Sequence, residues 1–218
     1  MRRTHQVAEE TGRRYAGQDP ATRRAARRDQ LMAAGLDLFA THGYTRVSVK
    51  QVCDQAKLTQ RYFYESFEDR EGLLLGVYDA VVADTRSRVD AAIAESDSGV
   101  VDLAQSALGA FIGHLTDDPR LARIMLLEVV GVSPRLEDRR YRVIHDFADL
   151  ILVAATTSAQ IDDMSSPQFR LVAVGLVGAV NQLLVDWVLG NGSHDPDEIL
   201  AVCTGLFAAA FDRFYDPT

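Results

Sequence analysis

Five dipeptides along the chain place a capping side chain directly before a proline, and they constrain the fold more than any other feature. They are Asp19-Pro20, Asp118-Pro119, Ser133-Pro134, Ser166-Pro167 and Asp195-Pro196. The carboxylate or hydroxyl can accept a free backbone N–H at a helix start. Proline suits the first helical position because an N–H there would have no partner within the helix. Each dipeptide therefore predicts the start of an α-helix.

Apolar residues recur at helical spacing between these starts, and no alternating β-branched run predicts a strand. The sequence therefore predicts an all-α protein of about nine helices. The predicted spans are 19–42, two short helices within 43–67, and then about 69–93, 100–116, 119–130, 134–158, 167–189 and 196–215.

The stretch from Gly43 to Phe67 is typical of two short helices joined by a tight turn. Ser48 is expected to cap the first helix and Thr59 the second. Phe63 and Phe67 lie one turn apart and are expected to face a core, which leaves polar and tyrosine side chains on the outer faces of the second helix. A helix of this kind can enter the DNA major groove, which is about 12 Å wide.

At these residues the chain resembles the DNA-binding domain of the TetR family of bacterial transcriptional regulators. The resemblance covers roughly the first third of the chain. It implies an N-terminal three-helix domain with a helix-turn-helix, a larger C-terminal helical domain that senses a small molecule, and a homodimer that represses or activates transcription. The matching residues are Gly43-Tyr44, Val47-Ser48-Val49, Val52-Cys53, Ala56, Thr59, Phe63-Tyr64, Phe67, Arg70-Glu71 and Leu73-Leu74.

Three residues depart from the family pattern. Lys57 stands where a turn glycine is common, and a left-handed backbone there would cost roughly 1 kcal/mol. Cys53 replaces a common alanine, and Arg61 replaces a common glycine in the second helix. The change at Arg61 is expected to alter which DNA sequence is read.

The predicted organisation has three parts: a disordered tail at 1–20, a DNA-binding domain at 21–68, and a ligand-binding and dimerisation domain at 69–218. The arginine pairs of the tail also suit an arm that contacts DNA. We expect Gln60 and Arg61 to read bases, and Ser48, Thr59, Tyr64 and Arg70 to hold phosphates. The full set of candidate DNA contacts is Arg27, Arg28, Ser48, Thr59, Gln60, Arg61, Tyr62, Tyr64 and Arg70.

The charge distribution agrees with a DNA-binding N-terminal region. The whole chain has a net charge of −8, which argues against nucleic acid at first sight. Residues 1–70, however, carry 13 Lys and Arg against 9 Asp and Glu, a balance of +4. The remaining residues carry 10 against 22, a balance of −12. One end of the chain can approach DNA and the other avoids it.

The eighth helix is apolar on nearly every face, so we expect burial on all sides. Its uncharged run, 171–185, has 15 residues and contains Asn181 and Gln182, which is short of the about 20 residues that a membrane span needs. Family resemblance implies that the last two helices pair with their copies as a four-helix bundle, while a monomer core remains the alternative. The candidate interface residues are Gly175, Gly178, Leu183, Ala201, Gly205, Leu206 and Ala209.

No motif predicts catalysis, a cofactor or a metal site. The five histidines form no HExxH or close ligand pair, and the second domain lacks a GxSxG elbow, a P-loop and a GxGxxG turn. Cys53 and Cys203 are expected to be buried free thiols. Because the N-terminus lacks an apolar signal sequence, a cytoplasmic protein is expected.

A ligand pocket is expected among the middle helices, as the resemblance implies, with ordinary core packing as the alternative for each residue. Glu128 lies in an apolar helix and needs a partner; if it faced the cavity, a cationic ligand would be favoured. The candidate pocket residues are Phe111, Leu115, Met125, Glu128, Val129, Phe147, Leu152, Asn181, Gln182 and Trp187.

The resulting prediction is a homodimeric repressor of a palindromic operator, released by a small apolar or amphipathic ligand. Two alternatives remain at this point. One is a dimer that binds DNA constitutively without a ligand. The other is a relative of the fold that has lost specific DNA binding.

Overall fold

The computed structural model of the chain describes residues 19–96, 99–159 and 167–214. The tail at 1–18, with its predicted disorder or DNA-contacting arm, lies outside the described residues. Within the described ranges the protein is all-α, as predicted, and contains no strand. The helices are α1 (Pro20–His42), α2 (Val49–Ala56), α3 (Gln60–Ser66), α4 (Arg70–Ala94), α5 (Val100–Asp117), α6 (Pro119–Arg123), α7 (Pro134–Ala159), α8 (Pro167–Leu189) and α9 (Pro196–Phe214).

All five predicted helix starts are confirmed, because α1, α6, α7, α8 and α9 each begin at the proline. The caps differ among them. Asp118, Ser133 and Asp195 accept backbone N–H groups two or three residues ahead, at 3.1, 3.3 and 3.0 Å. Asp19 makes no side-chain cap hydrogen bond, so at α1 the proline marks the start without its expected acceptor.

Helices α1, α2 and α3 pack around one apolar centre. Leu31 and Phe39 of α1, Val52 of α2 and Phe63 of α3 are each completely buried. Phe67, just after α3, completes this layer with its ring centroid 5.8 Å from that of Phe63. The apolar spacing read from the sequence therefore sets which face of each short helix points inwards.

The two predicted caps in this region behave differently. Ser48 Oγ accepts the N–H of Gln51 at 3.3 Å, and the Gln51 side chain accepts the N–H of Ser48 at 2.8 Å, which forms a capping box. Thr59 occupies the predicted cap position before α3, but its side chain makes no cap hydrogen bond. Instead, its carbonyl accepts the N–H groups of Tyr62 and Phe63 at 3.0 and 3.3 Å.

Helix α4 leaves this domain and becomes part of the larger one. Its N-terminal half packs against α1, and along its length it also packs against α5. Asp69 caps it by accepting the N–H of Gly72 at 2.7 Å. Around its far end, α5 packs on α9, α7 packs on α8, and α8 packs on α9. The second domain therefore packs along α4, the helix that it shares with the α1–α3 domain.

The sixth helix differs from its predicted span. The sequence predicts one helix over about 119–130, whereas α6 ends at Arg123 and continues as a π-helical turn, Ile124–Glu128. A π-helical turn rotates the side chains that follow it relative to those of an uninterrupted α-helix. Here Met125 and Leu126 lie on one side, within the protein, and Glu128 on another, towards α1 and α2.

Helix α8 is long and apolar enough to cross a membrane by length and composition alone, but only 33% of its most apolar stretch is buried. Ala173, Val177, Val180 and Leu184 face the interior. Leu171 and Leu189, in contrast, are 73% and 62% exposed. In the single chain, one face of α8 is therefore exposed, and burial of that face against another subunit stays a prediction.

Both cysteines are free and buried, as expected. Burial raises the pKa of each thiol above its ordinary value. Cys53 packs in the core of the α1–α3 domain, and Cys203 lies on the inner side of α9. At neutral pH both act as small apolar side chains.

Lys57, at the turn between α2 and α3, adopts the left-handed conformation, with φ 55° and ψ 38°. We expect Lys57→Gly to raise the free energy of unfolding by about 1 kcal/mol, because glycine avoids the left-handed penalty of an L side chain. Lys57→Ala is the matched control: it removes the same exposed amine but keeps the penalty, so it should give no such gain. Urea unfolding at fixed protein concentration, followed by circular dichroism, measures both. An equal gain in the two variants would assign the effect to the charge.

Candidate DNA-binding surface and ligand cavity

The outer face of α3 is a row of exposed polar side chains. Thr59, Gln60 and Tyr64 are exposed, Tyr62 is half-buried, and Arg61 has 84% of its side chain exposed. Arg61 Nε lies 3.1 Å from Glu65 Oε1 of the next turn. An ion pair this exposed contributes little to stability, so the guanidinium remains available to a partner. These residues form the surface that the sequence assigns to base and phosphate contacts.

Two arginines of α1 bind the end of α3 instead of projecting into solvent. Arg24 donates to the carbonyl of Glu65 at 2.6 Å, and Arg28 donates to the carbonyl of Ser66 at 2.7 Å. The Arg28 guanidinium also lies 4.1 Å from the centroid of the Phe67 ring. The last carbonyls of a helix lack intrahelical partners, and cations stabilise that end. Arg28 therefore orients α3, and its contact with a phosphate stays a prediction.

Arg70 and Arg27 also have internal partners. Arg70 donates to the carbonyl of Val47, just before α2, and its guanidinium lies 4.4 Å from the centroid of the Tyr44 ring. Arg70 thus joins the start of α4 to the start of α2, and its contact with a phosphate stays a prediction. Arg27 lies 4.4 Å from the centroid of the Tyr62 ring and keeps 25% of its side chain exposed. Ser48, within its capping box, stays exposed at the start of α2.

A cavity of about 440 Å³ lies between α4, α5, the π-helical turn, α7, α8 and α9. One face of α7 lines it from Arg140 to Ala155. Fifteen residues of helix rise about 22 Å, so the cavity is long compared with its width. Its lining is mostly aliphatic and aromatic: Val89, Ile93, Leu103, Leu108, Phe111, Met125, Val143, Ile144, Phe147, Ile151, Leu176, Val180, Val185, Phe207 and Phe211 are among the lining residues.

The structure brings only half of the predicted pocket residues to this cavity. Phe111, Met125, Phe147, Asn181 and Gln182 line it, and the Phe111 and Phe147 rings meet edge to face at 5.4 Å. The other five do not line it. Leu115 and Val129 are fully buried in the core, and Leu152 packs against the small cluster around Ala148. Trp187 donates its indole N–H to the carbonyl of His194 at 3.1 Å, and Glu128 points away from the cavity.

Glu128 has its partners between the two domains. Its Oε2 accepts the backbone N–H of Tyr44 at 2.8 Å, and its Oε1 lies 3.3 Å from an Arg123 guanidinium nitrogen. Only 12% of its side chain is exposed. The carboxylate therefore has the partner that its apolar surroundings require, and it offers no negative charge to the cavity. The condition under which Glu128 would favour a cationic ligand is therefore not met.

Two polar residues at one end of the cavity escaped sequence analysis. Tyr78 of α4 and Arg140 of α7 both line it. Burial raises the pKa of Tyr78 far above its usual range, although nearby Arg139 and Arg140 oppose the shift, so the phenol stays protonated. Arg140 is paired with Glu137 at 3.0 Å and is partly exposed. In the sequence, Tyr78 looks like an ordinary core residue of the fourth helix and Arg140 like one member of an ordinary surface pair.

The predicted interface residues fall mostly on one exposed stripe. On α8, Gly175 and Gly178 are exposed, together with Leu171, Gln182 and Leu189. On α9 the exposed residues include four predicted ones, Ala201, Gly205, Leu206 and Ala209, and also Val202. Leu183 is the exception: it is half-buried and packs against the chain's own core. We call the α8 residues Leu171, Gly175, Gly178, Gln182, Val185 and Leu189 the α8 stripe.

Comparison with known proteins agrees with this geometry. The chain is 19% identical over 167 residues to the fatty acid metabolism regulator protein of Bacillus subtilis (strain 168). This alignment covers 76% of this chain and 86% of that protein. The fatty acid degradation regulator FadR from Bacillus halodurans superposes with a TM-score of 0.74 at 17% identity, over 83% of this chain and 94% of that one. FadR from Bacillus subtilis in complex with stearoyl-CoA gives 0.70 at 18% identity, over 83% and 95%.

Because the sequence identities are only 17% and 18%, these superpositions establish the fold alone. The family assignment comes from the N-terminal region, where the model of bacterial regulatory proteins of the tetR family matches residues 31–77. That range spans the second half of α1, both helices of the helix-turn-helix and the first turns of α4. It contains the buried residues that hold α3 in place and the exposed residues that form its outer face. Residues 31–77 therefore match the DNA-binding region of the TetR family of bacterial transcriptional regulators, and the whole chain shares the fold of solved TetR-like regulators.

Proposed function

We propose that the protein is a cytoplasmic, homodimeric repressor that binds a palindromic operator and is released from it by a long-chain acyl ligand. The observation that carries this proposal is the π-helical turn Ile124–Glu128. Met125 and Leu126 form part of the cavity wall, and Glu128, two residues on, holds the backbone of Tyr44 in the DNA-binding domain. The cavity and the DNA-binding domain therefore both contact the π-helical turn.

DNA is bound through the exposed face of α3. Arg61 and Gln60 carry the groups that pair with guanine and adenine edges in the major groove, and Tyr64 is placed to donate to a phosphate. Arg24 and Arg28 keep α3 at a fixed angle to α1. Two such helices in a dimer reach successive major grooves, about 34 Å apart, on one side of the duplex. A two-fold dimer matches a palindromic site.

The ligand is an amphipathic molecule with a long apolar tail and a negatively charged or strongly polar end. The cavity is narrow, about 22 Å long by the rise of α7, and apolar over most of its lining. Arg140 and the protonated Tyr78 supply a cation and a donor at one end. Because Arg140 is partly exposed, a bulky head group can stay in solvent. The stearoyl-CoA complex of the Bacillus subtilis relative supports an acyl ligand of this class.

Release from DNA follows from the position of the π-helical turn. A ligand tail that packs on Met125 and Leu126 favours a different position of this turn, and Glu128 passes the displacement to Tyr44. Tyr44 lies beside Arg70, the residue that joins α4 to α2. A ligand shifts the equilibrium only by its difference in affinity for the two conformations. The DNA-bound conformation is therefore the one in which the cavity accommodates the tail less well.

Dimerisation buries the exposed apolar faces of α8 and α9. The α8 stripe repeats at intervals of four and three residues, which is the spacing of helices that pack knobs into holes. No charged residue lies between Arg170 and Asp186. One face of α8 packs on the chain's own core, so only the stripe is open to a partner. Pairing of two copies therefore explains the exposed leucines better than a bilayer does.

Arg61→Ala should lower affinity for the preferred palindrome by about 1 to 3 kcal/mol per half-site while changing random-sequence binding little, because a bidentate base contact is lost. Tyr64→Phe should weaken both duplexes alike, since it removes a phosphate contact. Fluorescence anisotropy at about 0.15 M salt, with a duplex selected from a random pool and a scrambled control, measures both. An equal loss on the two duplexes for Arg61→Ala would contradict its base-reading role.

Affinity for acyl-CoA esters should rise about fourfold per added methylene until the tail fills the cavity, because each buried CH₂ contributes about 0.8 kcal/mol. Isothermal titration with octanoyl-, dodecanoyl- and hexadecanoyl-CoA measures the series, and the free acids show whether the CoA group is needed. Arg140→Gln should weaken binding roughly tenfold by removing a charged hydrogen bond. Arg142→Gln, an exposed neighbour outside the cavity, is the control. A flat chain-length series would reject the acyl ligand.

Glu128→Ala should leave acyl-CoA affinity near the wild-type value but reduce the effect of the ligand on DNA binding. Allosteric couplings typically change affinity about 5- to 150-fold, and in this variant the ratio of DNA dissociation constants with and without ligand should fall towards one. Asp37→Asn is the matched control, because Asp37 pairs with Arg120 between the domains at 3.4 Å without touching a cavity wall. Full coupling in Glu128→Ala would remove the proposed route through Tyr44.

A further inference from the structure

The ligand cavity and the α8 stripe meet on the same helix. Gly178, Gln182 and Val185 belong to the stripe and also line the cavity. Gly178 and Gln182 are exposed in the single chain. Within the described residues, helix α8 is therefore the layer between the cavity and the stripe surface at these positions. Gln182 donates to the Asp186 side chain at 2.9 Å, one turn along the same helix.

Gly178 leaves an open position in the α8 wall of the cavity. Among the described residues, no atom lies within 4 Å of the position that a Cβ would take there. At Gly109, another glycine beside the interior, the same position has a Leu200 methyl carbon 3.7 Å away. Gly178 thus offers neither a side chain nor a neighbour to close the cavity on that side. A ligand tail packed against α8 at this point would remain partly in contact with water.

A second copy of the chain is the occupant that fits this surface. The stripe runs from Leu171 to Leu189, so Gly178 and Gln182 lie on either side of its midpoint. In a two-fold interface the residues near the axis meet their own copies. A like-charged pair would repel there, and the stretch 171–185 carries no charge although residues 71–218 have a balance of −12. Small residues at the midpoint let two backbones approach closely.

We propose that the partner subunit's α8 closes the cavity at Gly178 and Gln182, so that the ligand site is complete only in the dimer. This inference rests on the proposed dimer and on the proposed acyl ligand. It adds a regulatory property to both: ligand binding and dimerisation strengthen one another. Coupling between two binding equilibria is reciprocal, so the factor by which dimerisation raises ligand affinity also raises dimer affinity when ligand is bound.

The test is the dissociation constant of the dimer, measured by fluorescence-detected sedimentation with and without saturating hexadecanoyl-CoA. We expect the ligand to lower this constant about tenfold or more, within the usual range of allosteric couplings. The double variant Leu171→Asp with Leu189→Asp places carboxylates at both ends of the stripe, and neither residue lines the cavity. As a folded monomer, it should bind hexadecanoyl-CoA at least about tenfold more weakly than the dimer. An unchanged dimer constant, or a monomer with wild-type ligand affinity, overturns the proposal.

Two glycine variants separate the cavity from the interface. Gly175 and Gly178 share the stripe, and neither has a neighbouring atom of the described chain within 4 Å of its Cβ position. Only Gly178 lines the cavity. Gly178→Val should change ligand affinity, whereas Gly175→Val should affect the dimer constant alone. Equal effects of the two variants on ligand affinity, compared at a concentration where both are dimeric, would mean that the cavity is not closed at Gly178.

Cross-linking tests whether a second copy of the chain covers Gly178, and it does so without a ligand. Gly178→Cys should form a disulfide between subunits on mild oxidation, because a bridge requires Cα atoms closer than about 7 Å. Gly113→Cys, at an open position on α5 away from the stripe, should not. If concentrated wild-type dimer fails to bind hexadecanoyl-CoA, the proposed ligand class is wrong, and the cross-link still reports whether a second copy covers Gly178. Absence of the Gly178→Cys cross-link in a folded dimer overturns the inference.

Discussion

The structure depends on the packing of α4, which belongs to both domains. Leu73 and Leu74 at its start are completely buried against the DNA-binding helices. A Cβ at Gly35 of α1 would lie 3.1 Å from a Leu73 methyl carbon, so the two helices are in close contact there. Further along, Tyr78, Val89 and Ile93 line the cavity. Because protein interiors pack densely and are hard to compress, a displacement at one end of α4 is transmitted to its other end.

Two physical links therefore join the cavity to the reading helix. The first is α4 itself, which Arg70 fastens to the start of α2. The second is the π-helical turn, in which the Glu128 carboxylate holds the backbone of Tyr44. The two links converge, because the Arg70 guanidinium stacks on the Tyr44 ring. A ligand that moves either α4 or the π-helical turn therefore acts on the same short segment before α2. The proposed closure by a second subunit would make a third wall of the cavity, α8, depend on dimerisation.

The sequence predicted the position of α3 but not the protein partners of the arginines around it, for a physical reason. Arginine binds phosphates, helix-terminal carbonyls and aromatic faces with the same guanidinium. A pattern of arginines in α1 and at the start of α4 therefore predicts that cations are needed near α3, but not whether DNA or protein is their partner. The folded chain decides: Arg28 binds the Ser66 carbonyl and Arg70 the Val47 carbonyl, while Arg61 keeps its exposed position. Glu128 was misplaced likewise, since a carboxylate's need for a partner does not say where the partner lies.

By itself, the sequence determined the all-α class, the five proline-marked helix starts, the buried faces of α1 and α4 and the family of the DNA-binding domain. These features depend on backbone preferences and on spacing within one helix, which are local properties. Only the tertiary structure decided the π-helical turn, the two ends of the cavity and the contact between Glu128 and Tyr44. Tyr44 and Glu128 are 84 residues apart, and Tyr78 and Arg140 come from different helices. Such pairs meet because of how whole helices pack, and no local pattern records that geometry.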